Sequence, residues 1–184
     1  MARLGLPIGS LKTTVQPVRR LVKSCHNASV PVIFTRYVLR PDYVDAGYFA
    51  TLFPLAKDVH ALASDTLDAE FLGDLKPGPE DFLVDKTRYS AFYNTNLEVI
   101  LRGLNVNSLI VCGVTTEMCV ESTVRDAFYR DFRILLVKDA VAAADDARHE
   151  AALRTIEYGF AKLVDVGQIA EALSKPHIES AKRR

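Results

Sequence analysis

Five short stretches of the chain, 30–37, 81–86, 108–114, 133–137 and 161–166, are apolar at consecutive rather than alternate positions. A strand with one face in water alternates, whereas a strand covered on both faces does not. The pattern therefore predicts a parallel sheet held between two layers of helices. Four intervening stretches, 11–29, 95–104, 117–130 and 145–158, carry apolar residues at helical spacing. In the first, Val15, Val18, Leu21, Val22 and Cys25 make the stripe, and Pro17 is tolerable only in the opening turn. Gly159 stands where the last helix would take a C-cap. Strands joined by such crossovers give an α/β fold, a three-layer α/β/α arrangement around a mostly parallel sheet.

Two regions break the rhythm. Residues 38–80 form a long connection without clear strand character, and loops of this length usually cover or shape a site. Residues 175–184 are polar and end in Lys182, Arg183 and Arg184, so the domain is expected over 1–174 with a polar tail behind it. Lys+Arg and Asp+Glu both number 23, which argues against a general nucleic-acid binder or an anionic-membrane binder. No apolar run approaches the ~18 residues of a membrane span. The three cysteines, Cys25, Cys112 and Cys119, cannot all pair and show no metal-binding spacing, which points to a reduced, cytoplasmic setting.

The chemistry concentrates around Cys119. The strand 108–114 runs into a small polar turn, and a helix is expected to start near Thr116 as its N-cap, with Cys119 in the first turn. Ligands of open α/β sheets bind beyond the carboxyl ends of strands, where this turn lies. A thiol there meets unpaired backbone N–H groups, which favour its ionised form. Cys112 in mid-strand and Cys25 on a helix face read as core thiols. Lys86 closes a buried strand at the same edge, where an ammonium can hold a thiolate and stabilise developing negative charge. Arg88 reads as a loop charge, and Tyr89 and Phe92 as pocket wall or core.

The segments Lys86-Thr-Arg-Tyr-Ser-Ala-Phe and Gly113-Val-Thr-Thr-Glu-Met-Cys119-Val-Glu-Ser-Thr-Val-Arg-Asp126-Ala together resemble the isochorismatase-like cysteine hydrolases. The later Val137-Lys-Asp-Ala140 matches as well. The resemblance implies that Cys119 is the nucleophile and Lys86 the active-site lysine. It implies a cis peptide between Val114 and Thr115, and an oxyanion hole from the backbone N–H groups of Thr115 and Cys119. The implied reaction is attack of the thiolate on an amide carbonyl, loss of ammonia or an amine, and hydrolysis of the thioester. Residues 88–97 and the stretch after Cys119 look most like the ureidoacrylate and biuret amidohydrolase branch. A small amide or ureido substrate held by Tyr89 and Phe92, no cofactor and a homo-oligomer are implied with it.

The chain also departs from the family. The family's third catalytic residue, an aspartate at the end of its first strand, has no match, and the chain is expected to begin about one strand late. That strand is expected between 30–37 and 81–86, so that its loss leaves two edges unpaired. Glu117 and Asp85 are the nearest carboxylates in sequence and read as a first-turn helix acid and a strand-end charge. Metal-dependent nicotinamidase chemistry needs an Asp-x-His-type cluster after the second strand, where this chain offers Asp42, Asp45 and a distant His60. His26, His149 and His177 are scattered and read as surface residues, so no metal site is expected. A carbon–nitrogen hydrolase is the leading function, and a catalytically impaired remnant acting as a structural or interaction protein is the alternative.

Overall fold

The structure, a computed structural model, describes residues 7–175. The expected tail beyond Lys175, His177 included, lies outside the described residues. The chain begins with α1 (Gly9–Lys12) and α2 (Val15–Asn27), so the single helix expected over 11–29 is two. The break falls at Thr13 and Thr14, whose hydroxyls donate to the carbonyls of Ser10 (2.6 Å) and Leu11 (2.8 Å). Such local bonds offer the backbone an alternative to helix. Pro17 is the third residue of α2, where a backbone N–H would lack a helical partner anyway.

Then come β1 (Ile33–Tyr37), the short helices α3 (Phe49–Leu52) and α4 (Leu55–Asp58), a 3₁₀ turn at Leu67–Ala69, and β2 (Phe82–Lys86). The remainder alternates: α5 (Leu97–Gly103), β3 (Ser108–Val114), a π-helical turn (Thr116–Val120), α6 (Glu121–Phe128), β4 (Arg133–Ala142), α7 (Asp146–Gly159), β5 (Lys162–Val164) and α8 (Val166–Ser174). All the strand pairs are parallel. Gly159 closes α7 from inside, and Phe160 takes the cap position assigned to the glycine.

β4 shows how the layers form. Ile134 and Leu136 join the core of α5, α6 and α7, while Leu135 and Val137 face α2 and α8. Side chains that alternate between two covered faces make a strand apolar throughout. Leu136 and Ile156 are fully buried, and each contributes about 1.5–3 kcal/mol through removal from water. β4 runs five residues past its expected end at 137, and its register against β3 shifts between Val111 and Gly113. Asp139 is exposed within it and accepts the N–H of Val166 at 3.0 Å, tying β4 to the start of α8. That helix was not foreseen, although Asp165 and Gln168 form a reciprocal capping box at its start.

The sheet is discontinuous. β1 pairs directly with β2, from Ile33 opposite Phe82 to Tyr37 opposite Lys86. β3, β4 and β5 form a second sheet in that order. The expectation of a gap between 30–37 and 81–86 is therefore corrected: the break falls between the β1–β2 pair and the β3–β4–β5 sheet. A third small core, Leu39, Tyr43, Ala46, Ala56, Ala61 and Ala63, packs the long connection 38–80 on itself beside Tyr37.

Candidate active site

Parallel strands deliver their carboxyl ends to one edge, and β1, β2 and β3 bring Tyr37, Lys86 and Val114 together there. Gly113 has φ of +120°, a conformation open to glycine and rare for other residues, and the next peptide bond, Val114–Thr115, is cis. The chain then enters the π-helical turn, with Thr115 rather than Thr116 at the N-cap position. Thr116 is instead buried, and its hydroxyl is hydrogen-bonded to His149 Nδ1 at 2.9 Å. His149 is thus a half-buried partner of the site turn, not the surface residue expected.

Lys86 is only 4% exposed, and its Nζ donates to Cys119 Sγ at 3.3 Å. It also donates to the carbonyls of Arg88 (3.0 Å) and Tyr89 (2.8 Å), and it lies over the Tyr37 ring, 4.9 Å from the centroid. Burial pushes the Lys86 pKa below the ordinary lysine value, and the adjacent Cys119 opposes that shift. Burial pushes the Tyr37 phenol up to about 12, so it stays neutral beside the ammonium. An ammonium with three donors aimed at two carbonyls and one sulfur is a fixed positive charge beside that sulfur.

Cys119 opens into a cavity of about 360 Å³. Tyr89, Thr115, Glu117 and Met118 line it from the site turns, and Phe49, Phe53 and Leu62 from the long connection. The loop thus shapes the site, as its length suggested. Ala144, Asp145 and Arg148 complete the lining. Sequence reasoning did not find Arg148, Tyr37 or the loop aromatics, which reach the cavity only through tertiary packing. Tyr89 is among the residues that line the cavity. Phe92 does not line this cavity: it is 6% exposed, packs on Phe132, and has the Arg130 guanidinium over its ring at 4.9 Å.

Of the two nearest carboxylates, Asp85 is exposed and paired with Arg36 at 2.9 Å. Glu117 faces the cavity, and its Oε2 is buried without a hydrogen-bond partner among the described residues. Arg88 donates to the carbonyls of Asp45 (2.8 Å) and Thr87 (2.6 Å), so it braces the connection rather than standing free. Asp42 pairs with Arg40 at 2.7 Å, Asp45 accepts the Arg40 N–H at 3.1 Å, and His60 packs edge-on against Tyr43. These three groups are engaged separately, and no cluster of three or more metal-ligating side chains occurs among the described residues.

The isochorismatase domain matches residues 4–168, nearly the full chain. The chain belongs to the isochorismatase family. Within it, the ureidoacrylate amidohydrolase RutB of Methylobacterium radiotolerans is 32% identical over 187 residues, covering 95% of this chain and 72% of the relative. Nicotinamidase 3 of Arabidopsis thaliana is 33% identical over 165 residues, 88% of this chain and 80% of the relative. Among solved structures, a cysteine hydrolase from Pseudomonas syringae pv. phaseolicola 1448A superposes with a TM-score of 0.84. It is 32% identical and covers 90% of this chain and 82% of its own. The α/β class read from the strand pattern and the isochorismatase-like fold implied by the Lys86 and Cys119 segments both hold, and no described helix is long and apolar enough to cross a membrane.

Proposed function

We propose that this chain hydrolyses a carbon–nitrogen bond of a small amide or ureido compound through a thioester on Cys119. The observation that carries the reading is the buried Lys86 ammonium 3.3 Å from the sulfur of Cys119, which itself lines a largely apolar cavity. The sulfur attacks the carbonyl carbon, and negative charge moves to the carbonyl oxygen. The backbone N–H groups of Thr115 and Cys119, in the turn after the cis peptide, are assigned to receive that charge. The carbon–nitrogen bond then breaks, and the nitrogen leaves with a proton. Lys86 Nζ is the only protonatable side-chain group hydrogen-bonded to the sulfur among the described residues. Water attacks the thioester, releasing the acid or carbamate and restoring the thiol.

The names of the relatives favour the ureido branch, and the cavity agrees with it. Tyr37, Tyr89, Phe49 and Phe53 offer flat faces for a planar ureido group, and the Arg148 guanidinium offers a partner for a carboxylate. With this reading goes a cytoplasmic homo-oligomer, which sedimentation and cell fractionation would check. The deciding test is ammonia release from a panel of ureido acids, biuret and simple amides by the chain and by Cys119→Ser. Turnover lost in the variant supports the reading, and equal turnover in both removes it.

A further inference from the structure

Residues 88–95 supply the two carbonyls that hold the Lys86 ammonium, yet they belong to no helix or strand. No backbone–backbone hydrogen bond joins them to any described residue. Side chains hold the segment instead. The Arg88 guanidinium reaches back to the Asp45 carbonyl at 2.8 Å, Ser90 Oγ accepts the Phe92 N–H at 3.1 Å, and Thr95 Oγ1 donates to the Ala91 carbonyl. These bonds tie the segment to itself and to the long connection, and none of them reaches the turn that carries Cys119.

Thr123, the third residue of α6, makes that link. Its hydroxyl donates to the Cys119 carbonyl at 2.6 Å, and the same oxygen accepts the Ala91 N–H at 3.0 Å. The sense of both bonds is forced, because a carbonyl only accepts, an amide N–H only donates and a hydroxyl has one proton to give. Donation from a threonine to the carbonyl four residues back is a common helix habit. Acceptance by that oxygen of an N–H from a separate segment is no part of the habit. Ala91 is only 1% exposed, so its N–H needs an acceptor within the protein. Apart from Lys86 Nζ itself, this hydroxyl is the one hydrogen-bonding link between 86–95 and 115–128 among the described residues.

Both ends of the link lie next to the proposed chemistry. The peptide that offers the Ala91 N–H adjoins the one whose carbonyl, that of Tyr89, accepts from Lys86 Nζ at 2.8 Å. The Cys119 carbonyl belongs to the residue that carries the sulfur, in the π-helical turn that leads into α6, and such turns recur at functional sites. Holding that carbonyl holds the backbone from which the sulfur projects. We propose that Thr123 is a positioning residue for the hydrolysis. Its hydroxyl locks the segment that cradles the Lys86 ammonium to the turn that carries Cys119, so that Nζ and Sγ stay within hydrogen-bond reach. Thr123 is not among the residues lining the Cys119 cavity, so it acts through the backbone and not on the substrate. The inference rests on Cys119 as nucleophile and Lys86 as its charged partner.

The test compares the full chain with Thr123→Val, Thr123→Ser, Lys86→Met and the double variant Lys86→Met/Thr123→Val. Valine keeps the shape of threonine but can neither donate nor accept, whereas serine keeps the hydroxyl. Alkylation of Cys119 by iodoacetamide is followed by mass spectrometry of its own peptide, so that Cys25 and Cys112 do not contribute. Thr123→Val is expected to slow that alkylation about fivefold or more and to lower kcat about tenfold, with KM within about twofold of the unaltered chain. Thr123→Ser is expected to restore both rates. In the Lys86→Met background, Thr123→Val is expected to slow alkylation no further, because nothing is left to position. Equal slowing in both backgrounds would mean a merely structural threonine and overturns the proposal, as does unchanged alkylation in Thr123→Val while Lys86→Met is slowed. Unchanged alkylation in Lys86→Met removes the lysine–cysteine reading itself, and this proposal with it. Should Thr123→Val not fold, the unaltered chain decides. Its Ala91 amide is expected to exchange at least about 100-fold more slowly than in an unstructured peptide, and exchange at the unstructured rate overturns the proposal.

Discussion

Lys86 Nζ and Cys119 Sγ stand 3.3 Å apart although 33 residues separate them, because β2 and β3 end at the same edge of the fold. The ammonium is held by two backbone carbonyls, so its position does not depend on the substrate. Lys86→Met is expected to lower kcat by about 100-fold or more with little change in KM, since the charge acts on the developing anion. Lys86→Arg is expected to fail as a rescue, because a planar guanidinium cannot satisfy three acceptors arranged around one nitrogen. Steady-state kinetics of both variants, with alkylation of Cys119 by iodoacetamide, would check this. Unchanged alkylation in Lys86→Met would place the lysine outside the nucleophile's control.

The same burial predicts a pH effect on stability. The folded protein holds the Lys86 proton less tightly than the unfolded chain, whose lysine titrates near 10.5. Between the lowered folded pKa and that value the unfolded chain binds more protons, so stability rises with pH across this window. Tyr37 acts oppositely, with its phenol pushed up to about 12, but only above the ordinary tyrosine value of 10, where the unfolded chain loses its proton first. The urea midpoint of the wild type, less that of Lys86→Met, should therefore climb with pH as the alkaline range approaches the ordinary lysine value of 10.5. A flat difference would show that Lys86 holds its proton equally in both states.

What could be read from sequence, and what could not, divides along local and non-local lines. The strands were legible because the runs around Ile110 and Leu135 are apolar throughout, Lys86 because it ends such a strand, and Cys119 because it follows one across a short polar turn. The extension of β4 was hidden because Lys138 and Asp139 look like a strand end, yet Asp139 is exposed and serves α8. The direct pairing of β1 with β2 was misjudged because strand order is set by crossovers and not by any local pattern. Tyr89 and Phe92 are three residues apart in one turn-rich segment. Only tertiary packing sends the first into the Cys119 cavity and the second against Phe132.

Arg148 offers a prediction about specificity. Its backbone N–H is capped by Asp145 at 2.8 Å, which fixes the start of α7, and Arg148 is among the residues that line the cavity. A guanidinium there binds a carboxylate in two parallel hydrogen bonds and gains nothing from a neutral amide. Arg148→Met is expected to raise KM for ureido acids about tenfold and to leave KM for biuret unchanged. The two substrates compared on one preparation separate this from a folding defect. An equal rise for both would show that Arg148 shapes the cavity without reading charge.

The long connection owes its shape to Tyr43, whose buried hydroxyl lies 2.6 Å from the Ala61 carbonyl and 3.0 Å from that of Ala56. A phenol has one proton, so it donates chiefly to the nearer oxygen and draws the two turns together. Tyr43 has φ of +58°, so its backbone also makes the sharp bend that turns the chain toward Phe49. Phe49, Phe53 and Leu62, which this bond helps to place, line the Cys119 cavity from the loop. Tyr43→Phe keeps the ring and the packing but removes the donor, and it should cost about 1 kcal/mol of stability. For a domain of this size that is a melting temperature lower by about 2–4 °C. Because the loop wall loosens while Lys86 and Cys119 stay in place, KM should rise severalfold with kcat nearly unchanged. Calorimetry and substrate titration on the one variant would check both halves, and a fall in kcat alone would show that the loop acts on the chemistry rather than on binding.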